Sequence, residues 1–301
     1  MYSAHVDYYR PTSVAEAVEL LSSTPGAKLL AGGHSLIPSM KLRVVQPVAL
    51  VDIGRIKELS GITVDGDSLK IGALTTHNTI ATSPDVKTHC AILAEAASLI
   101  ADQQVRNRGT IGGSLAQSDP AADYPTLVTA LDATLTVAGP NGARDIAAKD
   151  FFKDLFTTAL AEDEVLTMIT VPIYGAGTGG AYVKMKHPAS GFAVVGVAAL
   201  VRVSGGKCTD VRLAVGGATA NPVRISATES ALNGHAADDA RRCDPRVGRH
   251  YRRRSGGRED EGSGGRARRD LLCVGRRDRK RQGRVLQDPG TGGVHRVRAA
   301  G

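Results

Sequence analysis

The sequence predicts an α+β chain, and three of its features carry that prediction. Residues 14–53 read as a small β-α-β unit whose strand at 27–31 runs into the glycine pair Gly32-Gly33. Two later stretches, 62–71 and 133–148, hold paired apolar runs across short glycine-containing turns, the signature of antiparallel hairpins. Beyond a glycine-rich link at 175–180, three further strand candidates form a separate antiparallel sheet. A chain of 301 residues has room for two or three modest domains with separate cores.

Ser13 and Glu16 form a capping box, and Val14, Ala17, Val18 and Leu21 share one face, so 14–23 is an amphipathic helix stopped by Pro25-Gly26. Strand 27–31 follows. After the break at Pro47, strand 48–53 completes the unit, with its glycine turn at a strand end, where ligands of α/β folds usually sit. Asp65-Gly66 turns the hairpin of 62–64 and 69–71. The alanine-rich segment 91–101 reads as a helix with a small-residue face. Asp119 and Pro120 read as the cap and first residue of the next helix. Strand 133–138, turn 139–142 and segment 143–148 make the second hairpin; 150–160 reads as helix, and 165–171 as a strand closed by Pro172. The third sheet takes strands 181–186, 192–203 and 209–216. One face of it must be covered, normally by helices, and 227–232 begins one before the pattern stops.

Two segments organise the chain, LLAGGHSLIP at 29–38 and TIGGS at 110–114. In each, an apolar run that reads as a strand meets two glycines and then a polar residue, and the missing Cβ atoms permit a tight turn. Successive free amides in such a turn form a concave anion site, suited to a cofactor diphosphate; a plain loop is the other reading. Neither segment matches G-x-G-x-x-G or G-x-x-x-x-G-K-[ST], which argues against a Rossmann or P-loop nucleotide site. Ser35, Thr110 and Ser114 offer hydroxyls to phosphate or ribose. Asp123 suits a ribose hydroxyl, because a carboxylate accepts hydrogen bonds and repels anions, and equally suits a first helical turn. His34 reads as a hydrogen-bonding neighbour of a cofactor, since no substrate-binding constellation accompanies it. Lys184 and Lys186 flank Met185 on a strand and read as solvated.

The formal charge of +8 is unevenly placed. Residues 241–301 hold 18 Arg and 1 Lys against 7 acidic residues, a net of +12, which leaves −4 for 1–240. The four cysteines, Cys90, Cys208, Cys243 and Cys273, are scattered without C-x-x-C spacing, so neither a zinc nor an iron–sulfur site is expected. With no apolar run of transmembrane length and no signal peptide, a cytoplasmic chain is expected.

AGGHSLIPSMKLR at 31–43, TIGGSLAQSDPAADYP at 110–125 and EVLTMITVP at 164–172 resemble the FAD-binding medium subunits of molybdenum hydroxylases, the xanthine dehydrogenase family, and within it the carbon monoxide dehydrogenase branch. The resemblance covers about 1–235. It implies a two-subdomain FAD-binding fold of the PCMH type, vanillyl-alcohol oxidase-like, with subdomains at 1–57 and 58–174. A small antiparallel sheet domain at 180–235 follows, with its covering helices missing. FAD contacts are implied for Leu30, Ala31, Gly32, Gly33, His34, Ser35, Leu36 and Ile37, for Thr110, Ile111, Gly112, Gly113 and Ser114, and for Asp123, Leu166 and Lys184. Ser114 departs from the family's usual asparagine, which changes one side-chain contact and leaves the backbone amides intact. No catalytic or metal-binding residue is implied here. The implied partners are a large molybdenum-cofactor subunit and a small [2Fe–2S] subunit in a dimer of heterotrimers, with electrons passing from the clusters through FAD to an external acceptor. Nicotine, xanthine and aldehyde dehydrogenases use the same medium-subunit design, and a self-sufficient FAD oxidase is the other enzyme reading.

The resemblance fails beyond about residue 235, and the segment 236–301 lacks the helices expected there. Its Arg/Gly-rich composition reads as disordered. An RNA-binding arm is one explanation, but Tyr251 is the only aromatic available for stacking and no nucleic-acid partner is expected. Out-of-frame translation of a GC-rich gene explains the composition better, because shifted frames of such DNA are rich in Arg, Gly, Ala and Pro codons.

Overall fold

The structure, a computed structural model, describes residues 2–237. The first unit runs β1 (Asp7–Tyr9), α1 (Val14–Ser23), β2 (Lys28–Leu30), α2 (Leu36–Lys41) and β3 (Ala49–Asp52), with an all-parallel sheet in the order β1-β3-β2. Ser13 Oγ accepts from the Glu16 amide at 3.2 Å, as the capping box requires. The Glu16 carboxylate accepts from the Thr12 amide at 2.7 Å, one residue earlier than the motif prescribes. Ala17, Val18 and Leu21 bury against Ala49, Val51 and Ile53. Two elements were not legible: β1 is three exposed residues with no alternation, and α2 carries Pro38 at its third position, where a first helical turn tolerates it.

The second unit starts with the hairpin β4 (Ile62–Asp65) and β5 (Ser68–Gly72). Six helices follow: α3 (His77–Thr82), α4 (Pro84–His89), α5 (Ala91–Ser98), α6 (Gln103–Arg106), α7 (Ile111–Gln117) and α8 (Asp123–Ala130). The chain then returns to the sheet as β6 (Thr134–Gly139) and β7 (Gly142–Ala147), passes through α9 (Ala148–Phe151), β8 (Phe152–Asp154) and β9 (Thr157–Thr158), and ends in β10 (Val165–Pro172). The sheet is antiparallel in the order β4-β5-β10-β6-β7, so the last strand lies at its centre.

Two expectations fail in this unit. Residues 150–160 are not a helix: Phe151 and Phe152 are both buried, their rings edge to face at 5.2 Å. Adjacent large residues cannot both face the core from a surface helix, whereas the helix-to-strand junction here lets them. Asp119 does not cap α8 either. Its Oδ1 accepts from Ala121 in a local turn, and the helix begins four residues later at Asp123.

The third sheet is antiparallel in the order β11 (Thr178–Lys186), β12 (Ala193–Ser204), β13 (Lys207–Gly216) and β14 (Val223–Arg224), one strand more than the sequence suggests. Tyr182, Ala198, Leu200 and Ala214 lie on one face and join the core of the second unit. Gly180 rests on Ile92 of α5, and Gly216 on Thr126 of α8. Helices of the preceding unit therefore cover this face, an arrangement the strand pattern alone does not reveal. The opposite face has no helical layer among the described residues, in keeping with the expected missing helices. After β14, α10 (Ser226–Leu232) ties down the edge of β13: Glu229 accepts from the Leu213 amide at 2.7 Å, and Ile225 donates to the Leu213 carbonyl at 2.8 Å. The reading of the basic tail lies outside the described residues. No helix among them is long and apolar enough to cross a membrane.

Candidate functional site

The first glycine segment behaves as its sequence suggests. β2 ends at Leu30, Gly33 turns the chain at φ +75°, and Ile37 donates back to the Gly33 carbonyl at 3.1 Å. The amides of residues 33–36 find no acceptor among the described residues. They form a row of free donors leading into α2, the concave arrangement that holds an anion. His34 turns its Nδ1 to the Gly32 carbonyl at 2.9 Å and is exposed, as is Ser35. Leu30, Ala31, Leu36 and Ile37 are half-buried beneath the loop.

The second segment is built differently. No strand precedes it; α6 does, and Gly112 and Gly113 form the first turn of α7 with Thr110 as N-cap. Its amides are occupied. Ile111 donates to Thr75 at 3.1 Å, Gly112 to Ala73 at 2.8 Å, Gly113 to Thr110 Oγ1 at 3.1 Å and Ser114 to the Thr110 carbonyl at 3.0 Å. The expected second row of free amides is therefore absent among these residues, because the Thr110 cap takes two of them and the carbonyls of Thr75 and Ala73 the other two. The glycines serve close approach instead: a Cβ on Gly112 would stand 2.7 Å from the Ala73 carbonyl oxygen. Gly113 and Ser114 remain partly open to solvent.

The two segments meet. A Cβ on Gly32 would overlap the Arg108 carbonyl oxygen and lie 2.9 Å from Gly109 Cα, so backbone packs directly on backbone. On the other side of Gly109 sits His77, whose amide donates to the Gly109 carbonyl at 3.0 Å. Its buried ring tilts against Tyr124 at 5.3 Å between centroids. Burial, followed by the charges of His34 and Arg106, lowers the His77 pKa to about 4, so the ring is neutral. Nothing in the sequence marked this histidine.

Asp123 and Lys184, separated by six strands and helices in the chain, form a buried ion pair at 2.9 Å, with side chains 5% and 3% exposed. The solvated reading of Lys184 is thus overturned. On β11 it shares the core-facing side with Tyr182, while Lys186 is exposed. Tyr182 donates its hydroxyl to the other Asp123 oxygen at 2.6 Å, and burial, then Asp123, pushes its pKa far up, so it stays protonated. Tyr182 was missed, although its position two residues before Lys184 places both on one face of a strand. Gly196, the cross-strand partner of Lys184, makes room: a Cβ there would stand 2.5 Å from the Tyr182 hydroxyl. Leu166 is buried in the core of β10; the next residue, Thr167, accepts from Ala73, which in turn holds Gly112.

These residues fit a flavin dinucleotide, on the free amide row at 33–36 and the side-chain-free contact beside it. The family model described as the FAD binding domain in molybdopterin dehydrogenase matches residues 4–174, and that of the CO dehydrogenase flavoprotein C-terminal domain matches 180–242. The carbon monoxide dehydrogenase medium chain of Hydrogenophaga pseudoflava is 45% identical over 237 residues, covering 78% of this chain and 83% of that one. The nicotine 6-hydroxylase medium subunit of Paenarthrobacter nicotinovorans is 37% identical over 229 residues, covering 76% and 80%. Among solved structures, a carbon monoxide dehydrogenase from Hydrogenophaga pseudoflava superposes with a TM-score of 0.78 at 46% identity, covering 80% of this chain and 84% of that one. The chain is thereby identified as a member of the FAD-binding, electron-transferring medium subunits of the molybdenum hydroxylases.

Proposed function

We propose that this chain serves a carbon monoxide-oxidising complex, in which a large subunit carries the molybdenum cofactor and a small subunit carries [2Fe–2S] clusters. The observation that supports it most is the 45% identity to a carbon monoxide dehydrogenase medium chain across 83% of that protein. Electrons from the clusters would reach FAD here and leave to an external acceptor, the assembly being a cytoplasmic dimer of heterotrimers. Within the chain, 1–57 and 58–174 would be the two FAD-binding subdomains and 180–235 the sheet domain.

FAD, when bound, supplies the capacity to exchange electrons singly and in pairs; the protein supplies binding and orientation. The amides of 33–36 would hold the diphosphate, with Ser35 adding a hydroxyl. Gly113 and Ser114 would bound the cleft from the second segment. Asp123, with one oxygen on Tyr182 and the other on Lys184, retains lone pairs for a ribose hydroxyl. Its clamp fixes the carboxylate before any ligand arrives, and Leu30, Leu36, Ile37 and Leu166 would give the apolar wall. A nicotine-oxidising complex is the second reading, favoured by the 37% identity to the nicotine 6-hydroxylase subunit.

The test is anaerobic bleaching of the flavin. The purified full chain is expected to be yellow with one non-covalent FAD, to stay oxidised under carbon monoxide when alone, and to bleach when both partner subunits are added. Bleaching of the isolated chain would instead establish a self-sufficient oxidase, and bleaching of the complex by nicotine alone would move the substrate.

A further inference from the structure

We propose that His77 is a positioning residue for FAD, an imidazole through which the two glycine segments and the helix carrying Asp123 are held in register. The inference rests on the flavin reading above and adds to it a residue that the sequence motifs do not contain.

One backbone bond and two ring contacts hold His77 in place. Its own amide binds the Gly109 carbonyl at 3.0 Å, and its Nε2 fills the place beside Gly109, where an added Cβ would stand 2.5 Å away. Gly109 is in turn the backbone on which Gly32 of the first segment lies, its Cα 2.9 Å from the Cβ position of Gly32. From the first loop to the imidazole there is thus a continuous stack with no side chain between, and a displacement of the ring displaces Gly109 and then the loop. The ring also packs on Tyr124, next in sequence to Asp123. The residue before it, Thr76, bridges to Thr110, the cap of α7.

Packing alone does not account for a histidine here. Its Nδ1 and the hydroxyl of Tyr124 are both buried without a hydrogen-bond partner among the described residues. Each such atom costs stability, and a phenylalanine ring in either place would avoid that cost. Polar atoms left open beside a cofactor cleft point to a partner that arrives with the cofactor, either one of its polar atoms or an ordered water. The ring is neutral, its pKa lowered to about 4, and therefore has one nitrogen free to accept.

The experiment measures FAD dissociation constants on the full chain by flavin fluorescence, together with visible circular dichroism of the bound flavin at saturating FAD. His77→Ala is expected to weaken FAD binding by about tenfold or more, and His77→Phe to recover most of that affinity while altering the visible dichroism. Leu135→Ala, which creates a cavity at a buried sheet position outside these contacts, is expected to lower the melting temperature yet keep FAD affinity within roughly threefold. If His77→Ala does not fold, His77→Phe and His77→Gln decide. Affinity of His77→Ala within threefold of wild type, an equal loss in Leu135→Ala, or a His77→Phe protein matching wild type in affinity and spectrum would each overturn the proposal. Failure of the wild-type chain itself to take up FAD would instead refute the flavin reading.

Discussion

Gly32 rests its Cα on the peptide between Arg108 and Gly109, so closely that any side chain at position 32 would collide with backbone. Residues 76 positions apart in the chain thus share one contact that tolerates glycine alone, and it is this contact that makes two separate motifs into one cleft. Gly32→Ala is expected to destabilise the chain by about 1–3 kcal/mol through overpacking and to abolish FAD retention. Gly33→Val meets a different obstacle, since φ of +75° is strained for a β-branched residue. Gly113→Val has neither: its φ is helical, but its Cβ would press on the capping Thr110 Oγ1 at 2.8 Å. The check is flavin content after gel filtration, with Lys186→Arg as the unaffected control; full flavin in all three glycine variants would reduce the segments to ordinary loops.

The Asp123–Lys184 pair lends itself to a double-mutant cycle. Lys184→Met leaves a buried carboxylate without its cation and is expected to cost about 3–5 kcal/mol, whereas Lys184→Met combined with Asp123→Leu should recover much of that. Tyr182→Phe removes one hydrogen bond to the same carboxylate, with an expected loss of about 1.5–3 kcal/mol. Denaturant unfolding gives each value. An additive cycle would mean that the two charges do not interact.

Acid should expose the buried histidine. His77 is neutral in the folded chain down to about pH 4, while the unfolded chain protonates it near 6.5. The unfolded state therefore binds more protons between these limits, and stability falls as pH drops from about 6.5 to 4. A shift of this size corresponds to about 3 kcal/mol. Burial is the main cause, and the charges of His34 and Arg106 add to it. Comparing wild type with His77→Gln by thermal melting at pH 7.5 and 4.5 isolates the effect; parallel pH profiles would exclude it.

The Arg-rich segment leads to a prediction about the gene. Read in another frame beyond about codon 235, the coding DNA is expected to spell an amphipathic helix able to cover the open face of the third sheet. Sequencing the gene checks this, and the absence of such a helix in either other frame would sink it. Restoring that frame should raise the melting temperature, because the sheet would gain its second layer.

Local chemistry was enough to write much of this protein from its sequence. A Ser-x-x-Glu cap, Pro-Gly and Asp-Gly turns and period-two apolar runs act over a few residues, so α1, the two hairpins and β10 stand where the pattern put them. The Gly32-Gly33 turn was equally legible, because a left-handed φ after a strand is a local demand that glycine meets. Distance in the chain hid the rest. Lys184 looked solvated because alternation along a strand does not say which face is buried, and only the docking of that sheet on α8 decided it. Gly112-Gly113 looked like a second free turn, whereas a local cap by Thr110 occupies the amides of Gly113 and Ser114, and the Thr75 and Ala73 carbonyls that take those of Ile111 and Gly112 come from tertiary placement. Burial and long-range contact choose among conformations that local sequence leaves nearly equal in energy, and His77, with its backbone bond to Gly109 and ring against Tyr124, exists as a candidate only because of that choice.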